Sequence, residues 1–383
     1  MLKLLFQSTT LPLRILRITL LSATGYGLLY LAMGNATELP WQQEWPDTDF
    51  SRMTVKPSEI ISGGPPRDGI PSVDNPRFVA ARNASWLRPL SPVILLDING
   101  TQRAYPLEIL IYHEIVNDVV DGTPIAVTFC PLCNSALAFE RQVNGQTLSF
   151  GTTGKLRNSD MIMYDRQTQS WWQQFTGIGI VGFYAGTQLK TRTLRIVAFR
   201  DVLDSDPNTP TLSRSTGFMR PYGNNPYHGY DNISDQPFLY DGHQDQRLPA
   251  MARVLAIDTG AGACLFDLRR LNNPNGMTQA IINEEPVLIL YRSKRHSALD
   301  TRHINQGRLL PAVTAYSRKL NGSVLEFNSS QGLRDRATNS LWNQLGVAIS
   351  GPLKDNKLDI MPGGVSFAFA WLAFRPDSDI CTD

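Results

Sequence analysis

The sequence has almost no net charge. Its 36 lysines and arginines are offset by 34 aspartates and glutamates, which leaves a formal charge of +2. Lys3, Arg14 and Arg17 precede every acidic residue, so the rest of the chain carries no basic excess. A chain without a basic field does not attract a nucleic acid. We therefore expect no nucleic-acid partner.

Two common cofactor motifs are also missing. Asn134 follows the CPLC sequence at the position where a c-type haem would require a histidine. The GTTGK sequence at 151–155 lacks the spacing of a phosphate-binding loop. We therefore expect neither a haem nor a nucleotide cofactor. With 383 residues, of which 42% are hydrophobic and 18% charged, the chain is long enough for about two globular domains.

The first 36 residues contain no acidic side chain. An apolar run over residues 18–33 follows a basic segment and precedes small residues at 34–36, which is the layout of an export signal. The run is shorter than the about 20 apolar residues that a membrane-spanning helix needs. We predict that residues 1–36 are a signal peptide or an N-terminal membrane anchor. Either would place the remaining residues outside the cytoplasm, in the periplasm or at the cell surface.

The second half of the chain repeats the first half in diverged form. The segments 92–110, 121–137, 140–150 and 165–182 match 253–271, 283–299, 317–327 and 335–351. Such a repeat indicates two copies of one structural unit. Asn-Gly and Asp-Gly pairs between apolar stretches predict hairpins, and Pro106 can begin a short helix. We predict a β-rich α+β fold of two tandem diverged copies of a hairpin-rich unit with a short helix, packed as two pseudo-symmetric lobes.

The repeat also predicts the domain boundaries. The first lobe covers residues 60–202 and the second, degenerate lobe covers residues 251–376. Residues 203–250 between them are dense in proline, glycine and asparagine, which predicts a long connection. Its segment 222–232 carries several tyrosines and His228, and is either an ordered loop across the lobe junction or a plain linker.

The chain has only four cysteines, Cys130, Cys133, Cys264 and Cys381. Four cysteines in an oxidising compartment allow three disulfide pairings, and the sequence does not choose among them. Cys130 and Cys133 are close enough to act as one unit, whereas Cys264 and Cys381 each stand alone in the sequence.

The repeat shows that only the first copy has the cysteine pair. Cys130 and Cys133 align with Arg292 and Arg295, and His113 aligns with an asparagine. A structural disulfide or metal clip that the shared fold required would be present in both copies. The asymmetry therefore favours a function for the pair.

Two thiolates at this spacing can converge on a soft metal ion, copper or zinc, or close a small disulfide. Our leading hypothesis is a site that binds or transfers such an ion, with Cys130, Cys133 and His113 as ligands. Met161 and Met163 share one face of a predicted strand over residues 160–165 and are candidate neighbours. Core packing is the alternative for the methionines, and a buried structural histidine is the alternative for His113.

Two further hypotheses stay open. In the first, the chain is a thiol-disulfide oxidoreductase in which Cys130 attacks, Cys133 resolves and His113 lowers a thiol pKa. The residues after CPLC lead into a hairpin turn, however, and so do not provide the helix N-terminus that activates such thiols. In the second, the chain is a non-catalytic module that recognises another envelope protein through the aromatic segment 222–230.

Several strings resemble a single prokaryotic family. They are DGIPSVDNPRF at 68–78, YPLEIL and HEIVND at 105–118, FCPLCNSALAF at 129–139, MYDR and SWWQQ at 163–174, and SFAFAWLAFRP at 366–376. Over about residues 60–376 the chain resembles the family described as domain of unknown function DUF3179. The resemblance implies an extracytoplasmic location and a CPLC pair with a preceding histidine, here Cys130, Cys133 and His113. It implies no reaction.

Overall fold

The structure is a computed structural model and describes residues Leu39–Thr382. The chain divides into two units, one ending at Pro46 and one beginning at Asp47. Residues 39–46 of the first unit consist largely of turns. No helix within the described residues is long and apolar enough to cross a membrane. The predicted signal peptide or anchor, residues 1–36, lies outside the described residues.

The described chain is β-rich, as the hairpin signals predict. Its α-helices, of seven residues each, are α1 (Leu107–His113), α2 (Phe199–Ser205) and α3 (Ala368–Phe374). The strands as far as Leu212 are β1 (Ile61–Ser62), β2 (Phe78–Ala80), β3 (Pro92–Ile98), β4 (Thr101–Pro106), β5 (Ile115–Val120), β6 (Thr123–Cys130), β7 (Ser135–Glu140), β8 (Gln142–Val143), β9 (Gln146–Thr147), β10 (Phe150–Arg157), β11 (Asp160–Asp165), β12 (Trp171–Gln173), β13 (Ile178–Val181), β14 (Thr191–Arg192), β15 (Leu194–Ala198) and β16 (Pro210–Leu212). From Arg253 onward they are β17 (Arg253–Asp258), β18 (Ala263–Asp267), β19 (Met277–Ile282), β20 (Glu285–Leu290), β21 (Lys294–His296), β22 (Leu309–Pro311), β23 (Thr314–Ser317), β24 (Lys319–Leu320), β25 (Ser323–Val324), β26 (Phe327–Asn328), β27 (Leu333–Asp335), β28 (Leu341–Trp342), β29 (Ala348–Ser350), β30 (Gly363–Phe367) and β31 (Asp379–Cys381).

Four hairpins turn where the sequence predicts them. The turn residues are Asn99-Gly100, Asp121-Gly122, Asn144-Gly145 and Asn321-Gly322, and φ is positive at both positions of each pair. Two successive residues with positive φ form the turn whose twist matches antiparallel strands, and Asn, Asp and Gly tolerate that conformation best. These turns therefore join β3 to β4, β5 to β6, β8 to β9 and β24 to β25.

The larger sheets of the first half have strand orders β15-β3-β4-β16-β2, β14-β7-β6-β5 and β1-β10-β11-β12-β13. Those of the second half have orders β30-β17-β18-β31, β19-β20-β23 and β26-β27-β28-β29. In the first half, β16 joins β4 in parallel after α2. In the second half, β31 joins β18 in parallel after α3.

A buried hydrophobic cluster runs through both halves. It includes Val127 and Phe129 of β6 together with Met251, Leu299 and Phe367 from beyond the connection. The first half therefore completes its core with side chains of the second half, and β6 lies where they meet.

Residues 222–232 of the connection, here called the strap, are an ordered loop. Backbone amides of Asn225 and Gly229 donate to the carbonyl oxygens of Arg302 (2.8 Å) and Asp300 (2.5 Å). Tyr222, Tyr227 and Tyr230 pack against the hydrophobic cluster that contains β6. The strap therefore bridges the second half and the core of the first.

Cys264 and Cys381, which stand alone in the sequence, form a disulfide across 117 residues. The parallel pairing of β18 with β31 brings them together. In that register Cys264 lies opposite Asp379, which is two residues before Cys381 on the neighbouring strand. This bond selects the pairing that the sequence left open, and Cys130 and Cys133 remain as buried thiols.

Candidate functional site

The CPLC sequence forms the loop of a β-hairpin. Cys130 is the last residue of β6 and pairs with Ser135, the first residue of β7. Asn134 closes the loop, with φ of 49° and with its backbone amide donating to the Pro131 carbonyl at 3.2 Å. Since β7 follows directly, the thiols receive no stabilisation from a helix N-terminus. The sequence correctly predicted that no helix follows the CPLC loop.

A neighbouring hairpin brings a carboxylate to the two sulfurs. Asn158 and Ser159 form the turn between β10 and β11, with φ values of 53° and 62°, and Asp160 begins β11. The Cys133 thiol donates to Asp160 Oδ1 at 3.4 Å. One donor atom from each of Cys130, Cys133 and Asp160 lies within 4.8 Å of the others, and all three residues are buried. We call these three residues the thiol-carboxylate cluster.

The carboxylate of Asp160 is held rigidly. Its Oδ2 accepts hydrogen bonds from Gln173 Nε2 at 2.6 Å and from the Phe175 amide at 2.9 Å. These two donors fix the orientation of the carboxylate, which leaves Oδ1 directed at the thiols. The position of Asp160 therefore depends on β12, the strand that ends at Gln173.

Burial shifts the titration of all three groups. It raises the pKa of the Cys130 thiol and raises the pKa of the Cys133 thiol further, because the neighbouring sulfur and Asp160 also disfavour a thiolate there. Burial raises the pKa of Asp160 to about 6, against the hydrogen bonds from Gln173 and Phe175 that favour its charged form. At neutral pH the thiols of the metal-free protein are therefore protonated.

A second buried carboxyl lies close enough to interact electrostatically with the cluster. Glu114 ends α1 in the left-handed conformation, with φ of 56°, and its carbonyl accepts from the Phe129 amide of β6 at 2.8 Å. Burial raises the pKa of Glu114 to about 8, and the charge of Asp160 adds to this shift. The Tyr227 hydroxyl donates to Glu114 Oε1 at 3.4 Å.

The strap and the second half cover the loop. The Tyr230 hydroxyl donates to the Leu132 carbonyl at 3.1 Å, and the Phe367 amide donates to the Cys133 carbonyl at 2.9 Å. Burial raises the pKa of both Tyr227 and Tyr230, so both hydroxyls stay protonated. Cys130 and Cys133 are consequently at most 1% exposed.

His113, predicted as a metal ligand, is engaged elsewhere. Its Nδ1 lies 2.7 Å from the Pro71 carbonyl and its Nε2 lies 2.6 Å from the Tyr222 hydroxyl. Because a carbonyl can only accept, Nδ1 carries the proton and Nε2 accepts from the tyrosine. Burial lowers the pKa of the imidazole, which keeps it neutral. Within the described chain, Asp160 rather than His113 is the residue that the structure groups with the two sulfurs.

Met161 and Met163 lie buried on β11, in the same hydrophobic cluster as the two cysteines. Their cross-strand partners are Leu156 and Thr152. Gln173 lies opposite Ile162 and bonds Asp160. That either methionine lies beside a metal ion held by the cysteines stays a prediction.

Sequence reasoning missed Asp160 and Glu114. One signal pointed to Asp160: the stretch 151–164 that contains it is longer than the segment aligned with it in the repeat that the sequence predicts. Glu114 directly follows His113, but a carboxylate at a helix end is usually solvated, and its burial depends on tertiary packing.

Comparison with known proteins gives a family and nothing more specific. The model of the family described as Protein of unknown function (DUF3179) matches residues 67–378, most of the chain. No curated protein and no solved structure matches. The chain belongs to the DUF3179 family.

Proposed function

We propose that the chain binds or transfers a soft metal ion through Cys130, Cys133 and Asp160. The observation that supports this is the convergence of two sulfurs and one carboxylate oxygen within 4.8 Å. Two thiolates and a carboxylate suit Zn²⁺, which accepts sulfur and oxygen ligands in a tetrahedral site. Cu(I) is the second choice, because it favours sulfur over oxygen.

The charge of the site agrees with a bound cation. Two thiolates and the Asp160 carboxylate would carry three negative charges around the two positive charges of a bound Zn²⁺, and binding at neutral pH would release the two thiol protons. Three protein ligands leave one position of a tetrahedral ion open, as in sites that exchange a ligand or an ion. Transfer of the ion, rather than a purely structural role, is consistent with this count.

Metal analysis of the purified chain tests the proposal. Zinc and copper are measured by mass spectrometry in the wild type and in Cys130→Ser, Cys133→Ser and Asp160→Asn, after dialysis against each metal. We expect about one equivalent in the wild type and a loss of at least about tenfold in affinity in each variant. Asp121→Asn, in an exposed turn, is the matched control and should bind like the wild type. Equal metal in the wild type and the cysteine variants refutes the proposal.

A thiol-disulfide oxidoreductase is the second candidate, because the two sulfurs lie within 4.8 Å of each other. Closing the pair would pass two electrons and two protons to a partner disulfide, which becomes two thiols. The raised thiol pKa values oppose this candidate, since the thiolate is the attacking species. A measured reduction potential below about −300 mV would remove it, because such disulfides resist glutathione.

We also infer that residues 60–202 and 251–376 are diverged copies packed as pseudo-symmetric lobes. In each half an aspartate, Asp165 or Asp335, accepts from a tryptophan Nε1, at 2.9 Å and 3.1 Å. In each half an arginine, Arg141 or Arg318, donates to the carbonyl oxygen seven residues later. Matching polar contacts support common descent, since unrelated sheets would not preserve them. On this basis, either the first copy acquired the thiol-carboxylate cluster after the duplication or the second copy lost it.

We place the chain outside the cytoplasm, with residues 1–36 as a signal peptide or membrane anchor. The Cys264–Cys381 disulfide supports this, because disulfides persist in oxidising compartments. An envelope protein that contacts the strap is the partner expected if the chain acts as a binding module. Cell fractionation tests the location, and a cytosolic protein with four reduced cysteines would refute it.

A further inference from the structure

A cavity of about 670 Å³ lies beside the strap, in the second half of the chain. Met251, Leu268 and Leu310 supply apolar wall, and Arg253 and Arg308 supply charged wall. A cavity of this volume accommodates a small organic molecule. Its mixed wall suits a ligand with one polar end and an apolar body.

Asp231 lies at the centre of the charged wall, which also contains Asp300 and Arg269. Arg253 is buried and its Nη2 donates to Asp231 Oδ2 at 2.7 Å and to Ser297 Oγ at 2.9 Å. Arg308 approaches the same Asp231 oxygen at 2.8 Å and also pairs with Asp300 at 2.9 Å. One oxygen of Asp231 therefore serves two guanidinium groups.

A third arginine adds positive charge behind this wall. Arg295 lies on β21 directly opposite Leu310, which lines the cavity, and is 2% exposed. Its Nε and Nη2 have no hydrogen-bond partner within the described part of the chain. Burial lowers the pKa of Arg295 to about 9, and repulsion by Arg253 adds to this effect.

The interior next to the cavity is therefore short of negative charge. Arg253 and Arg295 are buried cations, and Asp231, which pairs with Arg253 and Arg308, is the buried anion beside them. A buried charge without a partner destabilises a fold strongly. An anionic ligand would supply the missing charge.

We propose that this cavity binds a small organic anion, whose carboxylate or phosphate group faces Arg253 and Arg308 while its apolar body packs on Met251, Leu268 and Leu310. The site is distinct from the thiol-carboxylate cluster and does not depend on the function proposed for it. Recognition combines charge-assisted hydrogen bonds from arginine with apolar contact.

Calorimetric titration of the purified chain with octanoate, octyl phosphate and octanol tests the proposal. The three probes share an apolar body and differ in the head group. We expect at least one anion to bind about tenfold more tightly than octanol, and the tighter anion identifies the head group. Equal binding of octanol and both anions, or no binding, overturns the proposal.

Two variants and a control separate the contribution of positive charge from that of the apolar wall. Arg308→Met removes a guanidinium that faces the proposed anion and should reduce the anion preference to about twofold or less, whereas Leu310→Trp fills the cavity and should weaken both anions. Arg270→Met, at an exposed arginine outside the cavity, should bind like the wild type. Retention of the full preference by Arg308→Met, or of full affinity by Leu310→Trp, contradicts the assignment. Urea unfolding checks that each variant is folded.

Discussion

Replacing Glu114 by glutamine in the metal-free protein should remove a large pH dependence of stability. The carboxyl is buried and its folded-state pKa is about 8, whereas its ordinary value is 4.5. The folded protein therefore holds this proton more tightly than the unfolded chain does. The resulting stabilisation is fully present below about pH 4.5 and is lost as the pH rises through about 8.

The magnitude follows from the size of the shift. A pKa difference of one unit corresponds to about 1.4 kcal/mol, so the shift of Glu114 amounts to about 5 kcal/mol in total. Between about pH 5 and about pH 8 the wild type should lose about 3 kcal/mol of unfolding free energy that Glu114→Gln does not lose. Glutamine keeps the size of the side chain and cannot ionise.

Urea unfolding of both proteins at these two pH values, with a chelator present, measures this difference. Asp160 also has a raised pKa and is present in both proteins, so its contribution cancels in the comparison apart from its repulsion with Glu114. If the wild type and Glu114→Gln lose the same stability on going from the lower to the higher pH, the buried carboxyl does not control it and the reasoning is wrong.

Three other predictions concern the strap, the disulfide and the repeated aspartates. Tyr230→Ala removes the hydrogen bond to the Leu132 carbonyl and should speed the reaction of the cysteine thiols with Ellman's reagent about tenfold through local opening. The control variant Tyr240→Ala should react at the wild-type rate. Equal rates for the two variants would show that the strap does not limit access of the reagent to the thiols. Replacing both Cys264 and Cys381 by serine opens a loop of 117 residues and should lower the unfolding free energy by about 4 kcal/mol, with the metal content unchanged; a parallel loss of metal would link the two sites. Asp335→Asn weakens the acceptor for Trp342 Nε1 and the Thr338 amide and should cost about 2 kcal/mol in urea unfolding; a neutral effect would contradict a structural role for this contact.

The hairpins and the position of the CPLC loop could be predicted because they depend on local chemistry. Asn99-Gly100 and Asp121-Gly122 adopt positive φ more easily than other pairs do, and that conformation is sufficient to define the turn. Cys130 likewise ends an apolar strand in the sequence as it does in the structure.

The partners of the cysteines could not be predicted in this way. Asp160 reaches the thiols only because β11 pairs with β10 and because Gln173 of β12 turns its carboxylate. His113 is the histidine nearest in sequence, but α1 ends with its ring between Pro71 and Tyr222. The positions of Asp160 and His113 both depend on tertiary packing, which local sequence patterns do not reveal.

The cover of the thiols is made from chain that is synthesised after them. The strap begins about 90 residues beyond Cys133 and Phe367 follows much later, and proteins are made from the N-terminus onward. Cys130 and Cys133 must therefore pass through a stage in which both sulfurs are open to solvent, oxidants and the wrong cysteine. An ion captured at that stage would protect the pair until Tyr230 and Phe367 enclose it, so the proposed site could be loaded during maturation, before its cover is complete.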